Sequence, residues 1–358
     1  TDFDEEEIER KISLQTALAH LEWKDRKVNL LDTPGYAAFV ADAKSALAVA
    51  DAALLLVEGV AGVQVITERT FKFSQEYGLP VVFVINKLDR ERSSFDRTLE
   101  AVHARFGRSA VPIQIPIGEE AGFEGIVDLV AMRAHVFPKD GSGKGSAGDV
   151  PPALLDRAKE LRSKLVEMVA ESDDSLMEIF FEKGDLEDDR LRGGRKRAVL
   201  ARKIFPVVCA SAIHAIGASS LLDLAVDVLP APGERGGAVG TKPGETAEIV
   251  RPVCAREPVS AFVFKTIADP YAGRLSLFRV CTGTLKGDSP VVNVKNGTSE
   301  RLGTVSVLQG KQLLPVPELR AGDLGVVAKL RETRTNDTLA DPAHPVEYPP
   351  IAFPAPAI

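Results

Sequence analysis

The sequence is short of cysteine, of long apolar runs and of any strong charge excess, and each shortage excludes something. Its three cysteines, Cys209, Cys254 and Cys281, lie far apart and form no CxxC pair, which fits small buried thiols in a reducing compartment and no disulfide framework or thiolate metal site. The longest apolar stretch, "AALLLVEGVAGV", is interrupted by Glu58 and is too short to cross a bilayer, and no charged-then-apolar leader opens the chain. A cytoplasmic protein with no membrane partner is expected. The net charge of -7 argues against general nucleic-acid binding and leaves room for a local basic contact with RNA. The five histidines, His20, His103, His135, His214 and His344, are scattered and form no pattern, and no internal repeat is visible. What remains, 358 residues with 45% apolar and 27% charged, is an ordinary globular composition with room for two or three domains. The chain opens at Thr1 inside the acidic stretch "TDFDEEEIER", which reads as a piece of a longer protein.

Four apolar runs without polar alternation precede residue 215: "KVNLL" (27–31), "AALLLV" (52–57), "VVFVI" (81–85) and "FPVVCA" (205–210). Runs of this kind read as strands buried on both faces. Helical spacing joins Phe39, Ala43, Ala46, Leu47 and Ala50, and again Ile66, Thr70, Phe73 and Tyr77, after which Gly78 and Pro80 end the helix. The alternation predicts an α/β fold with a parallel sheet, and such sheets bind ligands at the carboxyl ends of their strands. Those ends carry "DTPG", "EGVAG", "NKLD" and "SA". The interval from Asn86 to Ser211 exceeds what one more strand and helix need, so an α+β subdomain is inserted at about 114–204. It contains a Gly/Ser surface loop, "GSGKGSAGD" (141–149), and a long helix from Pro151. A Pro/Gly-rich linker follows at 232–256. Short alternating strands with Gly-Asp turns then predict a closed β-barrel over 257–340, and 341–358 is a Pro-rich extended segment.

The chemistry lies at the strand ends. In "NKLD", Asp89 can accept from the N1–H and 2-amino group of guanine, a donor pair that adenine lacks. Asn86 can meet the N7/O6 edge, and the Lys87 stem can cover the ring. A carboxylate left unpaired by the wrong base supplies the selectivity. Asp32 in "DTPG" is suited to holding Mg²⁺ through water, and the bare Gly35 N–H to meeting a γ-phosphate. In "CASA", the N–H groups of Ser211 and Ala212 are expected near the guanine O6.

The ordered set "ERKISL", "NLLDTPGYAAFVADA", "VAGVQVITE", "GLPVVFVINKLDRERSSFDRTLE", "IPIGEEAGFEGIVDLV" and "CASAIHAIGASSLLDLAVDVLPAP" resembles the GTP-binding domain of bacterial elongation factor G, and more closely its elongation-factor-G-like paralogues. "FKTIADPYAGRLSLFRVCTGTLKGD", "ERLGTVSVLQG", "AGDLGVVAKLRETRTNDTL" and "FPAPAI" resemble that factor's second domain and the segment leading into its third. The resemblance implies a GTP-binding domain over 1–231, a translational GTPase using GTP and Mg²⁺, and a monomer whose partners are GTP/GDP, ribosomal RNA and the ribosomal stalk protein. It places Ser13 and Asp32 at the metal, Gly35 at the γ-phosphate, and Asn86, Lys87, Asp89, Ser211 and Ala212 around guanine. Other readings on the same scaffold are a non-hydrolysing ribosome-binding paralogue and a ribosomal protection-type GTPase.

Departures from the family pattern sharpen these expectations. The phosphate loop GxxxxGK[ST] is expected upstream of Thr1, and "GSGKGSAGD" does not replace it, because Gly145 follows Lys144 and no helix opens there. The chain alone is therefore expected to be inactive as a GTPase. Lys11 stands where the family has a switch glycine, Ser13 where it has threonine, and Asn336 where a barrel turn has glycine. The resemblance places Tyr36 at the position of the family's catalytic histidine; whether the ring reaches the water or packs over the switch turn, impaired hydrolysis is expected. The basic run "RLRGGRKRAVLARK" (190–203) is either a solvated helix face or a docking surface.

Overall fold

The computed structural model describes residues 1–269 and 273–354. Two compact units emerge, one of Ala52–Leu229 and one of Thr1–Asp51 with Pro230–Ile358. In the second of these, α1 (Glu5–Arg10) leads to a hairpin of β1 (Ala17–Trp23) and β2 (Arg26–Asp32), and α2 (Val40–Val49) follows. Here the structure departs from expectation. "KVNLL" lies in β2 and pairs antiparallel with β1 rather than joining the parallel sheet, and none of its residues is fully buried. The cause is local: Lys24 and Asp25 both adopt left-handed φ, 47° and 57°, giving the two-residue turn whose twist suits a hairpin.

The Ala52–Leu229 unit is built on a parallel sheet of β3 (Ala53–Glu58), β4 (Val81–Asn86), β5 (Ala110–Pro112) and, after an insertion, β10 (Phe205–Cys209), in the order β3-β4-β10-β5. All residues of β4 and β10 are buried, as expected of strands covered on both faces. α3 (Val65–Glu76) and α4 (Phe95–Phe106) contribute Phe71, which packs against Phe83 and Phe205 at centroid separations of 5.9 and 5.3 Å, and Phe106, which packs against Phe83 at 5.0 Å and Phe71 at 4.6 Å. These rings clamp the two strands that end at the candidate site.

The insertion holds an antiparallel sheet of β6 (Gln114–Ile117), β7 (Gly125–Asp128), β8 (Arg133–Val136) and β9 (Ser146–Gly148), then α5 (Pro152–Ala170), α6 (Asp174–Lys183) and α7 (Asp188–Leu200). The Gly/Ser segment expected to be wholly loop thus supplies an edge strand. Gly145 just before it makes room for the Phe137 ring, which a Cβ would meet at 2.8 Å. Gln114 ties the insertion to the parallel sheet, its Oε1 accepting the Cys209 N–H at 3.2 Å. α8 (Ala218–Val228) closes this unit.

In the other unit, Ser260–Ala340 form an eight-stranded antiparallel sheet with Ser260–Asp269 and Gly273–Thr282 at its centre. Among the described residues its edge strands, Thr298–Arg301 and Gln312–Pro315, are not hydrogen-bonded to each other. The Gln312–Pro315 edge is exposed and ends in a residue without an N–H. Alternate residues of the central strand enter two cores. Ala261 and Val263 face one with Phe278, Val280 and Val327, while Phe262 and Phe264 face another with Leu18, Val49, Tyr348 and Ile351. The segment before Asp51 is therefore packed on the β-rich sheet, and ion pairs Lys265–Asp42 (2.5 Å) and Arg279–Asp51 (2.8 Å) pin it there. Asn336 takes the left-handed φ of 74° expected of a glycine substitute, and its amide also bonds both backbone groups of Ile351. Residues 355–358 of "FPAPAI" and 270–272 of "DPYAG" lie outside the described residues.

Candidate functional site

β4 and β3 end side by side, with Glu58 opposite Asn86, and β10 ends beside them with Cys209 opposite Ile85. From β4 the chain turns at Lys87, whose φ of 62° is left-handed. Asn86 is buried and stabilises this turn: its Oδ1 accepts the Lys87 N–H at 2.8 Å and the Ala212 N–H at 3.0 Å. The Ala210–Ala212 loop is thereby fastened to the "NKLD" turn, with further bonds from Ala210 N–H to Ile85 O (2.9 Å) and Leu88 N–H to Ala210 O (3.3 Å). Gly217 lets the loop return beneath β10, since its φ is 80° and a Cβ there would lie 2.4 Å from the Cys209 carbonyl oxygen.

Two buried polar atoms in this cluster have no partner, Asp89 Oδ1 and Ser211 Oγ. Unsatisfied groups of this kind carry a desolvation cost that a donor-bearing ligand can relieve. The donor and acceptor set suits guanine. Asp89 offers an unengaged acceptor, and the Asn86 amide nitrogen is left to donate because its oxygen is taken. The expected arrangement at O6 differs in detail: the Ser211 N–H already donates to Ile216 O at 3.1 Å and the Ala212 N–H to Asn86. The Ala212 N–H thus fixes the Asn86 side-chain oxygen in place.

Sequence reasoning passed over Glu58. Its Oε2 lies 3.1 Å from Lys87 Nζ and its Oε1 3.1 Å from Arg90 Nη1. The signal was an acid ending a buried strand beside "NKLD", visible once the strand order is known.

The remaining candidates, Ser13, Asp32, Gly35 and Tyr36, lie in the unit that contains Thr1–Asp51. The Ser13 hydroxyl donates to Asp2 at 2.9 Å, and Asp32 accepts from the Thr1 hydroxyl, so consecutive residues tie the two together. Lys11 caps α1 at φ 54°, the left-handed conformation that favours glycine. Nothing lies within 4 Å of where a Gly35 Cβ would be, so local crowding does not require a glycine there. Tyr36 is 56% exposed. Among the described residues, no group of three or more His, Cys, Asp or Glu side chains is placed to hold a metal ion.

The basic run resolves into unlike parts. Arg197 pairs with Asp173 at 2.8 Å and Lys203 donates to Ser172 O, while Arg190, Arg192 and Arg202 are exposed. Arg195 instead points inward, 9% exposed, into a cavity of about 80 Å³ lined by Gln114, Asp128, His135 and Asp227 among others. Burial lowers its pKa from the ordinary guanidinium value, against the opposing pull of Asp128 and Asp227. The cysteines are free thiols. Cys209 is buried, which pushes its pKa up, whereas Cys254 and Cys281 are only partly buried. No helix among the described residues is long and apolar enough to cross a membrane.

A parallel sheet covered by helices, followed by an antiparallel β-rich domain, is the architecture of a translation-factor GTPase. Residues 1–231 match the elongation factor Tu GTP-binding domain family and residues 258–341 match elongation factor G domain 2, so the chain belongs to the elongation-factor GTPases. It is similar to a protein of Thermus thermophilus of known crystal structure, with 31% identity, a TM-score of 0.83, and coverage of 96% of this chain and 48% of that one. The chain thus spans about half the length of that relative.

Proposed function

We propose that this chain is part of an elongation-factor-G-like translation factor that binds GTP with Mg²⁺ and acts on the ribosome in the cytoplasm, hydrolysing GTP slowly. The observation that carries the reading is the unpartnered Asp89 carboxylate oxygen beside the Asn86–Ala212 tether, at the ends of two fully buried parallel strands. Asp89 accepts from the guanine N1–H and 2-amino group, Asn86 donates to N7, Lys87 covers the ring, and Ser211 and Ala212 hold the loop that orients Asn86. Gly35 leaves its N–H open to a γ-phosphate, the Ser13 hydroxyl would supply an oxygen ligand of the kind Mg²⁺ favours, and Asp32 would hold the metal through water. Bound there, the metal would neutralise charge on the phosphate oxygens. Tyr36 stands where the family's histidine orients water. The exposed arginines of α7 and its end leave a smaller basic surface for ribosomal RNA or the stalk protein than the sequence suggested, and the factor acts as a monomer.

A second reading, a paralogue that docks on the ribosome without turnover, is favoured by Tyr36 itself. Ribosome-stimulated phosphate release from the complete protein separates the two. Slow but ribosome-dependent release supports the first, and none supports the second. Competition against a fluorescent GTP analogue tests the base: displacement by ATP as effective as by GTP refutes a guanine site.

A further inference from the structure

We infer that Glu58 is a positioning residue of the base site, holding the Lys87 stem as a preformed shelf for one face of the purine. The inference rests on the guanine reading of "NKLD". Lys87 has little backbone freedom: its left-handed φ is held by its own N–H on Asn86 Oδ1, and its carbonyl accepts the Arg90 N–H at 3.1 Å. What stays free is a four-carbon side chain with a strongly hydrated ammonium, 41% exposed, that would otherwise sweep through solvent. Glu58 removes that freedom. Its carboxylate is 26% exposed and bridges Lys87 and Arg90 with one oxygen each, at 3.1 Å in both cases.

Glu58 is itself well placed to do this. It is the last residue of β3, in register with Asn86, and the next N–H, that of Gly59, donates to Asn86 O at 2.8 Å. The Gly59 carbonyl in turn accepts the Ser94 N–H at 3.0 Å, so the strand end is anchored on both sides. An exposed ion pair adds little to stability. Ordering a side chain before the ligand arrives does improve affinity, because that ordering is no longer charged to binding. A stem lying on the ring face touches carbon and nitrogen atoms common to all purines. Glu58 therefore acts on affinity without acting on base choice, the opposite of Asp89.

The test titrates the 358-residue chain with GMP and with IMP up to tens of millimolar, following the backbone amide resonances of Asn86–Asp89 and Ala212. Glu58→Gln is expected to weaken both nucleotides by the same factor, about 3- to 10-fold, with the ligand-free Ala212 resonance unmoved because the Asn86 tether is intact. In a Lys87→Met background the same substitution should change nothing further, since the effect passes through the lysine. Undiminished GMP affinity in Glu58→Gln, with Lys87→Met weakened, overturns the role of Glu58 and leaves the guanine site standing. Equal losses from Glu58→Gln with and without Lys87 overturn it also. A wild-type chain whose Asn86–Asp89 resonances do not move with GMP overturns the guanine reading and the role of Glu58 together.

Discussion

Asn86 leaves a strand in which every residue is buried, whereas Asp32 leaves one in which none is. The first turn is cross-braced by side-chain and backbone hydrogen bonds to β10 and its loop, and it carries the unpartnered acceptor Asp89 Oδ1. The second is open: Asp32, Gly35 and Tyr36 are all exposed, and a Cβ on Gly35 would meet nothing. On the proposed function, the contrast teaches that reading a base and engaging a terminal phosphate set different structural demands. Discrimination between bases needs acceptors fixed before binding, because an adaptable site would re-pair with the wrong one. A group that must approach a phosphate and a water needs clearance instead.

The largest effect that would test this contrast falls on the rigid side. In the complete protein, Asp89→Asn should lower the preference for guanine over xanthine nucleotides by at least about 100-fold, since an amide can donate to the xanthine 2-oxo group and a carboxylate cannot. An unchanged ratio of GTP to XTP affinity removes "NKLD" from the base site. On the open side, Tyr36→His should raise ribosome-stimulated GTP hydrolysis by about 10- to 100-fold and leave GTP affinity alone. The tyrosine hydroxyl reaches about 2–3 Å beyond an imidazole nitrogen and has no cationic form near neutral pH. Turnover matching that of a histidine-bearing factor with Tyr36 in place would show that this protein places its water without an imidazole.

A paired comparison sharpens the contrast in stability. Asn86→Ala removes the acceptor of two backbone N–H groups and should destabilise the chain by about 1–3 kcal/mol in denaturant unfolding. Gly35→Ala, with open space for its methyl group and no left-handed φ, should stay within about 0.5 kcal/mol of the parent. If the two cost the same, the turns are not built differently.

Much of this was legible from residue order. The runs at 81–85 and 205–210 announce parallel strands buried on both faces, whereas the run at 52–57 joins the same sheet but leaves Leu56 61% exposed; the polar residues just past each run mark the edge where the proposed site lies. "KVNLL" carries the same composition and misled, since an apolar run does not name its partner and the Lys24–Asp25 turn lacks the Asn-Gly or Asp-Gly signature of tight hairpins. β9 escaped because Gly and Ser suggest loop, yet β8 needed only three backbone partners there. Arg195 and Glu58 escaped for a shared reason. Charge counted along a chain is taken to be solvated, and only the packing of α7 against its cavity, or of β3 beside β4, shows where a charged group is spent.

The smallest expected effect separates the two regions by pH. Glu7 is 2% exposed and organises the stretch around Ser13, its two carboxylate oxygens accepting the N–H groups of Phe3, Asp4, Leu14 and Gln15 at 2.9–3.3 Å. Burial alone would raise its pKa, but the N–H donors, Leu14 foremost, outweigh that and hold it below the ordinary 4.5. A depressed carboxylate stabilises the fold fully above its unfolded pKa and loses that contribution as pH falls through the folded value. The amides of Leu14 and Gln15 should therefore lose hydrogen-exchange protection as the solution is taken below about pH 4.5. The Ala212 amide should keep its protection through the same range, because its acceptor is the uncharged Asn86 oxygen, which does not titrate. Glu7→Gln should abolish the pH dependence at Leu14 and Gln15 while lowering their protection at neutral pH, since an amide offers one acceptor oxygen in place of two. Loss of protection at Ala212 and Leu14 at the same pH would mean that the two regions come apart as one, and that the braced turn gains nothing from its neutral tether.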